Sequence, residues 1–276
     1  MFFDTHAHFG EDAAQVDAQV QRADAAGVKG LVAVGGSRAA NRAARAVAGR
    51  FPHRVWAAIG FDRDQAAALA DEQTDALQAR LFPAGFDRSR IVALGEIGLD
   101  FHYAAETEAS QTALFRRQLA LARQRQLPVV VHSREAESAT RAELERHARL
   151  WDGDRERLGV LHCFTGSRAL ADALLEMGYY LSVSGIATFP GADDARAIAR
   201  RIPESRLLIE TDAPYLAPVP MRGRKNEPAY IRHTAETLAN VRGVPLHELA
   251  RTTFRNACRL FSVPQEDHTM PNLIYS

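Results

Sequence analysis

Four histidines and two carboxylates draw attention because each sits in or at the end of a short apolar run. The first run closes on Asp4-Thr5-His6-Ala7-His8. Residues two apart in a strand project to one face, so His6 and His8 can bind one cation together. Glu96 interrupts the run Gly95-Glu96-Ile97-Gly98-Leu99-Asp100, and its two oxygens are enough to bridge a pair of ions. His132 follows Val131, His162 follows Leu161, and Asp212 ends Leu208-Ile209-Glu210-Thr211-Asp212, with Glu210 deeper on the same face. A lone histidine near a strand end is more often a satisfied core or loop residue. The joint pattern is harder to dismiss. Without a cation, all these groups would have to be desolvated and paired by chance. With cations, they make a binuclear hydrolase site.

Such convergence needs a scaffold that brings distant strand ends to one place. The sequence predicts eight strands, over Phe2–His8, Gly30–Gly36, Val55–Phe61, Ile91–Leu99, Pro128–Ser133, Gly159–Phe164, Tyr180–Ser184 and Leu207–Asp212. Amphipathic, Ala/Arg-rich stretches between them read as helices, including Asp12–Ala26, Arg38–Arg50, Gln65–Leu81, Glu108–Gln126, Arg168–Met177 and Asp193–Arg201. A helix pair near Pro228–Arg242 and Pro245–Phe261 follows. Near-continuous apolar runs such as Gly30-Leu31-Val32-Ala33-Val34 suit parallel strands covered on both faces. Eight such units in about 250 residues predict an α/β fold, a (β/α)₈ TIM barrel, with an open doubly wound sheet as the alternative. A single domain over residues 1–264 and a tail over 265–276 are expected.

The 276 residues are 46% hydrophobic and 25% charged, which fits a folded globular chain and excludes a fibrous or disordered one. Lys+Arg and Asp+Glu are both 34, so a surface basic throughout, made to grip nucleic acid or membrane, is excluded, while a local patch is not. Two cysteines, Cys163 and Cys258, make no disulfide framework. Together with the lack of a leader-like amino terminus or a membrane-length apolar run, this leads to an expected cytoplasmic protein without membrane contact. A monomer is expected. Cys163, beside His162, invites a nucleophile reading, which strand alternation argues against. The stretch Arg116–Gln126 reads as an exposed helix face.

The chain resembles the TatD family of metal-dependent hydrolases, within the amidohydrolase-like barrel superfamily. The resemblance rests on the segments around His6, Glu96 and Asp212 already quoted, on His132-Ser133-Arg134-Glu135-Ala136 and on His162-Cys163-Phe164-Thr165-Gly166-Ser167. It extends through Glu210-Thr211-Asp212-Ala213-Pro214-Tyr215-Leu216, Arg222-Gly223-Arg224-Lys225-Asn226-Glu227-Pro228 and Asn256-Ala257-Cys258-Arg259-Leu260-Phe261. It implies a two-metal deoxyribonuclease of exonuclease type. His6, His8, Glu96 and Asp212 would hold one ion, and Glu96, His132 and His162 the other. Where the family often has Gly-x-His-Pro-His after strand three, this chain reads Gly60-Phe61-Asp62-Arg63-Asp64. Asp62 would then lie by the substrate, where its charge disfavours phosphate unless Arg63 compensates.

On this reading two divalent cations acidify a shared water to give a bridging hydroxide, and Asp212 accepts the proton. Mixed imidazole and carboxylate ligands suit Zn²⁺, Mn²⁺, Co²⁺ or Ni²⁺, and Mg²⁺ is also compatible. Glu210 is expected to support a ligand. Arg134 and the loop residues Arg222, Arg224, Lys225 and Asn226 are candidate contacts to a DNA, RNA or tRNA substrate. A metal-dependent ester or amide hydrolase, such as an aminoacyl-tRNA deacylase, fits the same ligands. A non-catalytic metal-binding scaffold is the third possibility.

Overall fold

The computed structural model describes residues 1–82, 90–103 and 105–265. Of the expected tail over 265–276, all but Gln265 lies outside the described residues.

Eight parallel strands run in sequence order, β1 (Phe2–Ala7), β2 (Val28–Gly36), β3 (Val55–Phe61), β4 (Ile91–Asp100), β5 (Val129–Arg134), β6 (Gly159–Leu161), β7 (Tyr180–Val183) and β8 (Leu207–Ile209). A parallel bridge between Ala7 and Ala213 joins the last strand's continuation to the first, with His8 N donating to Ala213 O at 2.7 Å. The sheet therefore closes as a TIM barrel. Around it pack α1 (Ala13–Ala25), α2 (Arg38–Arg50), α3 (Thr74–Leu81), α4 (Glu108–Arg125), α5 (Glu137–Leu150), α6 (Arg168–Met177), α7 (Asp193–Arg201), α8 (Ile231–Arg242) and α9 (Leu246–Phe261). Local sequence sets their ends. Asp12, Ser37 and Ser167 accept backbone N–H groups at the starts of α1, α2 and α6, and Gly178 closes α6 at φ 101°.

Alternate strand residues explain the apolar runs. One buried set faces the outer helices, among them Leu31, Ala33, Val55, Ala57, Val129 and Val131. The other comes from every strand, including Phe3, Val32, Trp56, Val130, Val160, Tyr180 and Leu208, and so fills the barrel interior. Phe254, Ala257, Cys258, Leu260 and Phe261 of α9 join this inner set. Phe3 stacks on Trp56 at 5.8 Å and meets Phe254 edge-on at 5.6 Å, so α9 stoppers the lower end with aromatic side chains.

The upper end is irregular. In β1, Asp4 and Ala7 pair with Leu31 and Ala33, so β1 carries one extra residue between the paired positions. In β4, Leu94 and Ile97 pair with Val129 and Val131, which again gives one extra residue. Those extra residues fall immediately around His6 and Glu96 and swap the faces of the strands there. Four buried side-chain amides satisfy the backbone where the ladders stop. Asn41 and Gln118 each exchange a pair of hydrogen bonds with the peptide groups of Gly60 and Phe61. Gln111 does the same for Asp100, and Asn226 donates to Thr211 O at 2.8 Å.

Several expected boundaries need correction. β6 and β8 are three residues each, because the chain turns at Cys163 (φ 44°) and Asp212 (φ 57°) toward the barrel mouth. The expected helix Gln65–Leu81 forms only over Thr74–Leu81. Upstream, Ala66 and Leu69 are buried and Leu69 O accepts from Arg117, so that backbone serves tertiary partners. The stretch Arg116–Gln126 is no exposed face, since Gln118, Leu119, Leu121 and Ala122 are buried among its arginines.

Candidate metal centre

The six expected ligands meet at the upper mouth of the barrel. His6 Nε2 and His8 Nε2 approach to 3.1 Å, with Asp212 Oδ1 3.8 and 3.7 Å from them. On the other side, His132 Nδ1 and His162 Nε2 lie 3.3 Å apart. Glu96 stands between the two pairs. Its Oε2 faces His6 and His8 at 3.6 and 3.4 Å, and its Oε1 faces His132 and His162, both at 3.3 Å. Each carboxylate oxygen thus serves one pair of imidazoles.

The outer nitrogens decide what the inner ones present. His8 Nδ1 meets only a carbonyl, Val34 O, at 3.1 Å, so Nδ1 donates and Nε2 keeps its lone pair. A facing carboxylate assigns His162 in the same way, through Glu210 Oε1 at 3.3 Å, while His132 Nε2 meets both Asp100 Oδ2 at 3.2 Å and Arg63 Nη1 at 3.3 Å. His8 therefore turns a lone pair toward a carboxylate oxygen, and the other inner nitrogens crowd the same acid. A cation between such groups makes the cluster favourable, and four imidazoles with two carboxylates fit divalent metal.

The electrostatics divide the two imidazole pairs. Burial pushes the His6 imidazole down to about 4, and it lowers His8 as well, favouring the neutral, ligating form of both. Burial opposes charge on both Glu96 and His162. Even so, hydrogen bonds from His132 and His162 hold Glu96 well below the usual carboxylate range, and bonds to Glu210 and Glu96 raise His162 well above the usual imidazole range. Burial pushes Asp212 up to about 8, only partly opposed by His162.

Glu210 is fully buried, and its Oε1 also accepts the Cys163 N–H at 2.6 Å. Cys163 sits in the cavity wall after all, because the turn at its own backbone breaks strand alternation. It makes a poor nucleophile for a different reason. Burial, then the charges of Asp212 and Glu210, raise its thiol well above the usual range.

The ligands open into a cavity of about 830 Å³ whose wall includes Asp62, Arg63 and Arg134. Burial pushes the Asp62 carboxyl up to about 7, with Glu96 adding to the effect. Arg222, Arg224 and Lys225 are exposed and outside this wall, and Arg222 instead lies over the Phe189 ring at 3.9 Å. Asn226 is buried and spends its amide on Thr211 and Tyr215 carbonyls. One important group was missed from the sequence. Asp100 is fully buried, with Oδ2 3.2 Å from His132 Nε2 and 3.3 Å from Arg63 Nη1. Burial would raise its carboxyl, but the His132 bond leads the contacts that bring it down to about 2. Counting in twos from Glu96, through Gly98, would have placed it on the same face.

Residues 3–262 match the family described as TatD related DNase. The "Uncharacterized metal-dependent hydrolase YabD" of Bacillus subtilis is 35% identical over 265 residues, covering 95% of this chain and all of that one. The "3'-5' ssDNA/RNA exonuclease TatD" of Salmonella typhimurium is 35% identical over 270 residues, covering 94% and 96% of the two chains. Among solved structures, YJJV, a TatD homologue from Escherichia coli K12, superposes with a TM-score of 0.83 at 31% identity, covering 95% and 98%.

Proposed function

We propose that this chain, which belongs to the TatD related DNase family of metal-dependent hydrolases, cleaves nucleic-acid phosphodiesters from a strand end with two divalent cations. The observation carrying this reading is the division of Glu96, one oxygen toward His6 and His8 and the other toward His132 and His162. In the proposal, Asp212 completes the first set. Bound there, the cations would supply a water acidic enough to react near neutral pH and would neutralise charge on the phosphate and leaving oxygens. The imidazole-rich donor set supports Zn²⁺, Mn²⁺, Co²⁺ or Ni²⁺, with Mg²⁺ also compatible.

The remaining steps fall to the chain. Asp212, beside the His6 and His8 pair, accepts the proton of the attacking water. Glu210 and Asp100 hold the rings of His162 and His132, so both inner nitrogens stay aimed at Glu96. Arg63 and Arg134 offer the cavity wall the positive charge a phosphate needs. Nucleic acid as substrate is supported by these cations and by the Salmonella relative's exonuclease name. All six ligands come from one chain, which supports a monomer as the working unit, to be checked by light scattering. The decisive experiment is metal analysis with a labelled single-stranded oligonucleotide. Two ions per chain and shortening from one end support the reading, and a metal-free protein after supplementation sinks it.

Asp62 favours a second reading, since a carboxyl in the wall sits poorly with phosphate. A carbonyl ester, including an aminoacyl-tRNA, is then the substrate. Parallel assays on an aryl ester and an aminoacyl-tRNA decide between the two.

A further inference from the structure

Five large apolar or aromatic side chains are well exposed among the described residues, and two of them, Tyr103 (64%) and Tyr215 (62%), stand at the wall of the metal-centre cavity. A lone exposed aromatic needs no explanation. These two share a construction. Each stands three residues beyond an acid of the mouth and is tied back to it. Tyr103 N donates to Asp100 Oδ1 at 3.1 Å, and Tyr215 N donates to Asp212 O at 2.9 Å. They also take opposite flanks. Tyr215 meets His8 edge-on, with centroids 6.1 Å apart. Tyr103 belongs to the other pair, because the Asp100 that holds it also orients His132.

The ring of Tyr103 is held further by arginine. Arg134 lies 4.7 Å from its centroid and donates to its hydroxyl at 3.1 Å, and Arg63 lies 5.9 Å from the centroid. A fixed, water-facing aromatic ring next to cationic groups is what binds the flat face of an unstacked base while the backbone runs past the cations. One ring on each side of the centre matches a phosphodiester, which carries a nucleoside on each side.

We infer that Tyr103 and Tyr215 form a two-sided stacking clamp that holds the bases flanking the scissile phosphate of a single strand. This rests on the nucleic-acid reading above and deepens it. A base-paired duplex has no free base faces to offer, so the clamp selects single-stranded substrate.

The test compares wild type with Tyr103→Ala, Tyr215→Ala and the Tyr→Phe and Tyr→Trp variants. Substrates are a single-stranded oligonucleotide and an abasic strand of the same length, a phosphodiester without bases. Each alanine variant is expected to raise KM for the oligonucleotide about tenfold with little change in kcat, while Phe or Trp restores it. Turnover of the abasic strand stays at the wild-type level. Anisotropy of a labelled strand in EDTA should show the same tenfold loss of binding without any catalysis. Unchanged KM and affinity in both alanine variants overturn the clamp while leaving the nuclease reading intact. Equal losses on the abasic strand also overturn it, because the tyrosines would then act through the metal ligands. A wild type that neither binds nor shortens the strand removes the nuclease reading and the clamp with it.

Discussion

The two ends of the barrel interior follow opposite rules. At the lower end, Phe3, Trp56, Phe254 and Phe261 pack as an apolar block under α9. At the upper end, the same strands carry imidazoles and carboxylates, their ladders slip by one residue, and left-handed backbone at Cys163 and Asp212 turns side chains inward. The lower end spends its residues on stability and the upper end on chemistry. Each half can therefore be damaged with limited effect on the other.

The widest separation comes from the ligands. Glu96→Ala or Asp212→Ala should lower turnover at least about a thousandfold, with the circular dichroism of a folded barrel retained. Equal hydrolysis by metal-loaded wild type and both variants breaks the assignment. The mirror-image change is Phe3→Ala at the lower end. It should cost about 3–5 kcal/mol in urea unfolding, while the folded fraction keeps its kcat. A large kcat defect there would show that the ends are coupled.

Asp100→Asn sharpens the comparison, because Asp100 touches no expected metal position yet orients His132. Metal affinity should fall about 10–100-fold in a titration, with unfolding little changed. The smallest effect concerns His147, buried in α5 among the outer helices. Burial, then the charge of Arg123, pushes its imidazole down to about 3. Its folded value is depressed, so its contribution to stability is present above the ordinary imidazole value and is lost as pH falls below it. Between pH 6.5 and 5.5 this group alone should remove about 1 kcal/mol, a slope that His147→Gln abolishes.

The chemistry of the mouth was readable because metal ligands are rare residue types in apolar runs, as at Glu96 and His162. The order of eight strands was readable because buried parallel strands leave long Val/Ile/Leu/Ala runs. What escaped was the backbone at the strand ends. Nothing in Leu161-His162-Cys163 marks the ladder's end at Leu161, because the turn is set by where Glu210 takes the Cys163 N–H. Tertiary hydrogen bonds there outrank local propensity. The same cause hid Asp100, whose role depends on His132 arriving from the next strand, and demoted Asn226, which looked like a surface contact and is a buried backbone partner.

The filled interior below the metal centre also governs traffic. With side chains from every strand packed down to Phe254 and Phe261, the mouth is a dish with a solid floor. Whatever reaches the ligands must arrive and depart by the same rim, so product clearance and the next arrival compete for one doorway.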